Sequence, residues 1–136
     1  MSDGTAPSAE VLISTLDAYF AAIAARDPKR IASVFVLDGE LEDPVGGPVR
    51  RGRDQIAAQF AAGVAALASY VDIKVLAALP SGGSIAAHWA MTARGKGGRE
   101  VKAEGIDVLQ VNEHGQIVRA EGYWDAARFR QALAAA

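Results

Sequence analysis

The sequence predicts an α+β fold: three N-terminal helices packed on one face of a curved, mostly antiparallel β-sheet. Three observations carry this expectation. Residues 9–67 hold three segments with apolar side chains at helical spacing, and residues 69–124 hold four extended runs parted by Gly- and Asn-containing turns. A block of helices followed by a block of strands signals α+β rather than alternating α/β architecture. The 136 residues suit one domain spanning 1–136, long enough to bury roughly 65–70% of its unfolded surface.

The elements follow in order. Residues 1–8 read as a flexible tail. Ser8 is a candidate N-cap, with Glu10 favourable in the first turn. Leu12, Leu16, Tyr19 and Ile23 then form one inward stripe as far as Arg26. Asp27-Pro28 restarts a helix, with Asp as cap and Pro at the first helical position. Ile31, Val34 and Phe35 give that helix its apolar face, and Asp38-Gly39 reads as its break. Glu40–Asp43 is a short extended segment, because the residue before Pro44 is pushed to β or polyproline geometry. The stretch from Pro44 to Pro48 reads as a loop. A third helix follows Gly52, with Ile56, Phe60, Val64 and Leu67 in register. Strands are expected over Ser69–Leu79, Ile85–Ala93, Glu100–Val111 and Gln116–Trp124. Gly95–Gly98 and Asn112–Gly115 form turns, and Asp125 caps a short last helix.

Composition narrows the function classes. Apolar residues are 51%, charged residues 22%, and the net charge is −2. With no basic cluster beyond Arg50, Arg51 and Arg53, which reads as a solvated charge run, a nucleic-acid partner is not expected. There is no cysteine, which excludes disulfides, thiolate metal sites and cysteine nucleophiles. The N-terminus lacks the basic region of a signal peptide, and no apolar run approaches the roughly 20 residues of a membrane helix. A cytoplasmic protein without a membrane partner is the expectation.

Three polar groups stand in apolar company: Tyr19 in the inward stripe, Asp43 before Pro44, and Asp107 within Gly-Ile-Asp-Val-Leu. If Asp107 points inward, strand alternation places Ala103, Gly105, Leu109 and Val111 on its side, with Ile106 and Val108 opposite. Such a sheet is apolar on both faces, and a homodimer partner is the simplest second cover. A buried carboxyl without a neighbouring cation is pushed toward its neutral form and can donate a hydrogen bond. With a tyrosine hydroxyl it would make an oxyanion hole, and a separate carboxylate would serve as general base. Each residue alone also has a plainer reading: a core tyrosine, a turn aspartate, a strand aspartate facing solvent. His88 and His114 are poorly placed as metal ligands. For Glu40, Glu42 and Asp43, alternation puts Glu42 opposite Asp43, which argues against a joint cation site. Gly46-Gly47 lacks the pattern of a phosphate-binding loop.

The combination resembles the bacterial ketosteroid isomerases of the NTF2-like (SnoaL-like) superfamily. The resemblance runs from the first helix to Trp124. It rests on Tyr19 with Asp27 and Ile31, Leu41-Glu-Asp-Pro44, Gly52-Arg-Asp-Gln-Ile-Ala-Ala58, Gly105-Ile-Asp-Val108, Asn112-Glu-His-Gly-Gln-Ile117 and Gly122-Tyr-Trp124. It implies a cone-shaped fold, Asp43 as catalytic base, and Tyr19 with Asp107 as the oxyanion hole. A neutral, hydrogen-bond-donating aspartic acid is a known trait of these isomerases, so a protonated Asp107 is likewise what the resemblance implies. Phe60, Val64, Trp89, Met91 and Trp124 would hold a steroid or similar apolar substrate, with no cofactor and no metal. Phe35 and Phe60 stand where some relatives have supporting tyrosines. Small residues at Ala93, Ala103 and Gly105 suggest a wider pocket. The alternatives are another enzyme of the superfamily (cyclase, dehydratase or epoxide hydrolase) and a non-catalytic module for an apolar ligand.

Overall fold

Ser8 opens α1 (Ala9–Ala24) by accepting a hydrogen bond from the Val11 amide, and Asp27 caps α2 (Pro28–Ser33) through the Arg30 amide. The computed structural model describes residues 5–136, so the N-terminal half of the expected tail lies outside the described residues. The chain continues through β1 (Phe35–Glu42), β2 (Val49–Arg51), α3 (Gly52–Ala65), β3 (Ser69–Ser81), β4 (Ser84–Arg94), β5 (Glu100–Val111), β6 (Ile117–Tyr123) and α4 (Ala126–Ala135). One six-stranded sheet results, in the order β2-β1-β6-β5-β4-β3. All neighbours are antiparallel except β1 and β6, which are parallel. Bulges in β3, between Tyr70 and Asp72 and between Val75 and Ala77, fall where an extra residue bends a strand.

Helices α1, α2 and α3 fill the concave side. Leu12, Leu16 and Tyr19 from α1, Ile31 from α2 and Ile56 from α3 meet Phe35, Leu41, Ile85, Leu109 and Ile117 from the sheet, all at most 1% exposed. Full burial of each aliphatic side chain contributes about 1.5–3 kcal/mol. At one end of the sheet a smaller cluster joins Leu67, Ala93, Phe129 and Leu133, so α4 caps that end.

The expected register of β5 is present: Asp107, Leu109 and Val111 are buried, while Ile106 on the other face is 46% exposed. Three expectations need correction. The second helix stops at Ser33, and Phe35 begins a strand. Asp38-Gly39 lies inside that strand, where a register shift between Phe35 and Glu40 breaks the alternation that would have marked it. The expected loop from Pro44 to Pro48 is present, and β2, which the sequence did not announce, follows it and adds to the sheet edge through Leu41 opposite Arg50. Finally, α3 ends at Ala65, so Leu67 is buried from the turn that follows it.

Candidate active site

Asp43 follows the last residue of β1 and is held from three sides. The Trp124 indole Nε1 donates to its Oδ1 at 2.6 Å. The Gln59 amide, from α3, donates to its backbone carbonyl at 2.7 Å. Next to it, the Val45 amide donates to the Gly122 carbonyl at 2.7 Å. Gly122 must be glycine here, because a Cβ on it would lie 2.6 Å from the Asp43 carboxyl carbon. Arg50 fixes the Gln59 amide in turn, its Nε donating to Oε1 at 2.8 Å. Burial raises the Asp43 pKa above the ordinary carboxylate range, and the Trp124 hydrogen bond opposes the rise.

Asp107 sits on β5, 5% exposed, between Ala87 of β4 and Gly122 of β6. The small neighbours leave room for its carboxyl and supply no charge. Its hydrogen bond from a side chain comes from the Trp89 indole, whose Nε1 reaches Oδ1 at 3.0 Å. Burial, then the negative charge of Asp43, push its pKa up to about 8, with Trp89 opposing. Neither carboxyl owes its shift to a guanidinium.

Tyr19 is 1% exposed and ringed edge-on by Phe20, Phe35 and Phe60, with centroids 5.7, 5.9 and 6.2 Å away. Phe35 and Phe60 thus do pack on Tyr19, but they offer it ring edges and no hydroxyls. Burial first, then the charges of Asp107 and Asp43, hold the Tyr19 pKa well above its usual value, so the phenol keeps its proton. The same influences place its hydroxyl within electrostatic reach of both carboxyls.

Asp43 and Asp107 open onto one cavity of about 620 Å³, bounded by Phe60, Trp89, Met91 and Trp124 among others. That volume lies within the range of small-molecule sites, roughly 300–1,000 Å³. Four of the five expected wall residues therefore line it. Val64 does not: it is half-buried, and this part of the chain reaches the cavity through Phe60, Gly63 and Leu67 instead. Tyr19 lies outside the open part of the cavity. Gly105 does not widen it either, since the space its side chain would need is filled by Trp89 and Trp124, both within 2.7 Å of an added Cβ. Ala93 is spent on packing in the smaller cluster.

The basic run divides. Arg51 is exposed and pairs with Glu40, whereas Arg53 donates to the Phe35 carbonyl at 2.7 Å. Arg50 lines the cavity. Glu40 and Glu42 accept from Arg119 at 2.9 and 2.7 Å, on the side opposite Asp43. His88 is 44% exposed and faces Glu104 on the outer side of the sheet. Sequence reasoning missed Gln59, Arg50 and Tyr70, which all line the cavity, and the role of Gly122. Gly122 stands in the Gly-Tyr-Trp motif, but only its contact with Asp43 gives it a task.

The SnoaL-like domain model matches residues 16–120. The chain belongs to the SnoaL-like family. Within it, the chain is 32% identical over 109 residues to a steroid Delta-isomerase of Nocardioides simplex, covering 78% of this chain and 83% of that protein. Among solved structures it is similar to SalBIII, an epoxide hydrolase/cyclase-like enzyme of pyran ring formation in the polyether salinomycin. The TM-score is 0.75 at 24% identity, over 87% of this chain and 93% of the other. That likeness shows the SnoaL-like cone fold, an α+β half-barrel closed by helices.

Proposed function

We propose that this SnoaL-like protein is a Δ5-3-ketosteroid isomerase. The observation that carries the reading is the pair of carboxyls in one apolar cavity, each tied to its own indole and unequally driven toward the neutral form. Asp107, deeper and repelled by Asp43, takes the proton first and becomes a donor. Asp43 stays the base, with a basicity raised by burial.

The steps follow from that assignment. Ionised Asp43 removes a proton from C4 of a 3-oxo-Δ5-steroid, and the electron pair delocalises onto the C3 oxygen as a dienolate. Trp89 occupies Oδ1 of Asp107, which leaves Oδ2 to carry the proton and donate to that oxygen. The Tyr19 hydroxyl is the second donor. The dienolate then takes the same proton back from Asp43 at C6, giving the Δ4-3-ketone with atoms and charge unchanged. Trp124 engages only Oδ1 of Asp43, so Oδ2 is the oxygen that shuttles. Phe60, Trp89, Met91 and Trp124 hold the rings and exclude water. The reaction needs no cofactor.

The 32% relative supports the substrate class. The test is to mix the protein with 5-androstene-3,17-dione and follow the ultraviolet absorbance of the conjugated enone. Conversion that disappears in Asp43→Asn is the expected result. No conversion by the native protein would overturn the reading and send attention to other acid–base chemistry of the family, such as epoxide opening or cyclisation. The working unit proposed is a homodimer joined through the outer face of the sheet.

A further inference from the structure

Along the sheet, the cavity wall runs from a polar group through an apolar stretch to a second polar group. Strand register gives the spacing. On the concave face of β4, Ala87 stands opposite Asp107, and Ala93 stands opposite Tyr70 of β3. From Ala87 to Ala93 is six residues along β4, roughly 20 Å at about 3.3 Å per residue. Trp89 and Met91 fill the interval on the same face, with Ile73 opposite Met91. All three line the cavity together with Asp107 and Tyr70.

The Tyr70 ring is half-buried and packs on the smaller core cluster of Leu67, Ala93, Phe129 and Leu133. Among the described residues no hydrogen bond engages its hydroxyl, and no buried side-chain oxygen lacks a partner, so this hydroxyl opens onto free space rather than into the core. Burial raises its pKa, Arg26 opposes the rise and the Asp43 carboxylate adds to it. The phenol therefore keeps its proton and lies within electrostatic reach of the cavity's acidic wall. Other polar lining groups are already engaged: Gln55 accepts from the Arg51 amide, and Gln59 accepts from Arg50. Arg130 is exposed on α4.

We propose that Tyr70 is a specificity-determining residue whose hydroxyl holds an oxygen substituent at the end of the substrate opposite the oxygen bound at Asp107. The proposal rests on the isomerase reading for the identity of the ring system. With the C3 oxygen at Asp107, the apolar rings lie along Trp89, Met91 and Ile73, and the far ring carries a keto or hydroxyl oxygen to Tyr70. A protonated phenol donates to a ketone and accepts from an alcohol. A skeleton lacking that oxygen displaces water from the phenol and returns no hydrogen bond, which leaves a polar group without a partner in an apolar site. The contact is several residues along the strand from the atoms that change charge. It is the same in ground and transition state and acts through KM.

The test compares 5-androstene-3,17-dione with 5-androsten-3-one, the same ring system without the C17 oxygen, in the native protein and in Tyr70→Phe. The variant keeps the ring that packs on the smaller cluster and removes only the hydroxyl. The ratio of kcat/KM for the dione over the monoketone should fall about fivefold in Tyr70→Phe, the order of one neutral hydrogen bond, and the fall should lie in the KM of the dione. Comparing ratios cancels the difference in hydrophobicity between the two steroids. An unaltered ratio overturns the contact and leaves the isomerase reading intact. A fall in kcat shared equally by both steroids also overturns it, because it would put Tyr70 at the reacting end. If the native protein converts neither steroid, the isomerase reading fails instead. Equilibrium binding of the same two steroids, read by quenching of Trp89 and Trp124 fluorescence, then decides the contact. A ratio of Kd values that changes about fivefold in Tyr70→Phe supports it, and an unaltered ratio, or no binding of either steroid, overturns it.

Discussion

In the isomerase mechanism proposed, Asp43 and Asp107 do opposite things with a proton, and their surroundings differ in kind. Asp107→Ala removes one donor to the developing oxyanion and should lower kcat by about 10²–10³. Asp43→Asn should cost more, because the shuttle itself is lost. The pH dependence separates the two. Activity needs Asp43 ionised, so it should fall as pH drops through the raised Asp43 pKa. It also needs Asp107 protonated, so it should fall again as pH rises past about 8. Asp107→Asn keeps a donor but cannot ionise, so the alkaline limb should vanish from its kcat/KM profile. A native limb that persists in Asp107→Asn would assign it to another group. Linkage gives the same residue a stability signature. The folded pKa of Asp107 is raised, so its neutral form favours the native state below the ordinary carboxylate range, and that stability is lost as pH rises toward about 8. Thermal melts should therefore show Asp107→Asn gaining Tm over the native protein more at pH 8.5 than at pH 5. Tyr19, Asp43 and Asp107 were legible in the sequence because a polar residue in an apolar pattern stands out. Gln59 was not. A glutamine on a helix looks solvated until the fold brings it to the Asp43 carbonyl, 16 positions earlier in the chain.

Between elements, positioning depends on how close β6 can come to the end of β1. Asp107 and Gly122 are direct partners on β5 and β6, and Asp43 lies against Gly122 from the other side. A methyl group there cannot be accommodated without moving the carboxyl, since the contact would be 2.6 Å. Gly122→Ala should lower kcat by about 10²-fold, in line with the cost of misplacing a reacting group by about 1 Å. A circular-dichroism melt should show the fold retained, and binding of a steroid phenol should weaken far less than turnover. Native turnover in Gly122→Ala would mean that Asp43 has slack the geometry does not suggest. The long strands β3 to β6 and the helices α1 and α3 could be read from periodicity, because each shows enough turns or alternations to declare itself. Of β1 only the end, from Glu40, could be read as extended, since the irregular register hides the alternation before it and its parallel partner is β6, far along the chain. The three-residue β2 is likewise defined only by its neighbour.

At the scale of the whole molecule, the helices cover one face of the sheet and leave the other open. On that open face Leu79 is 72% exposed, Ile106 46% and Tyr123 46%, with Ile106 and Tyr123 directly opposed on β5 and β6. Large apolar side chains exposed together on one sheet face are unfavourable on a free monomer and are what a self-complementary interface buries. The alternation that turns Asp107 into the cavity turns Ile106 and Tyr123 outward, so the candidate site and the proposed dimer surface are set by one choice of strand register. Light scattering on a sizing column should give about 28 kDa, twice the 14.1 kDa chain. Ile106→Lys places a charge where two copies would meet and should shift the protein to monomer at micromolar concentration. Because Ile106 faces away from the cavity, a monomeric variant that still binds steroid would show the site to be complete within one chain. A native protein that elutes as monomer at 100 µM would overturn the dimer. The exposed Ile106–Tyr123 pair would then need a different partner to cover it.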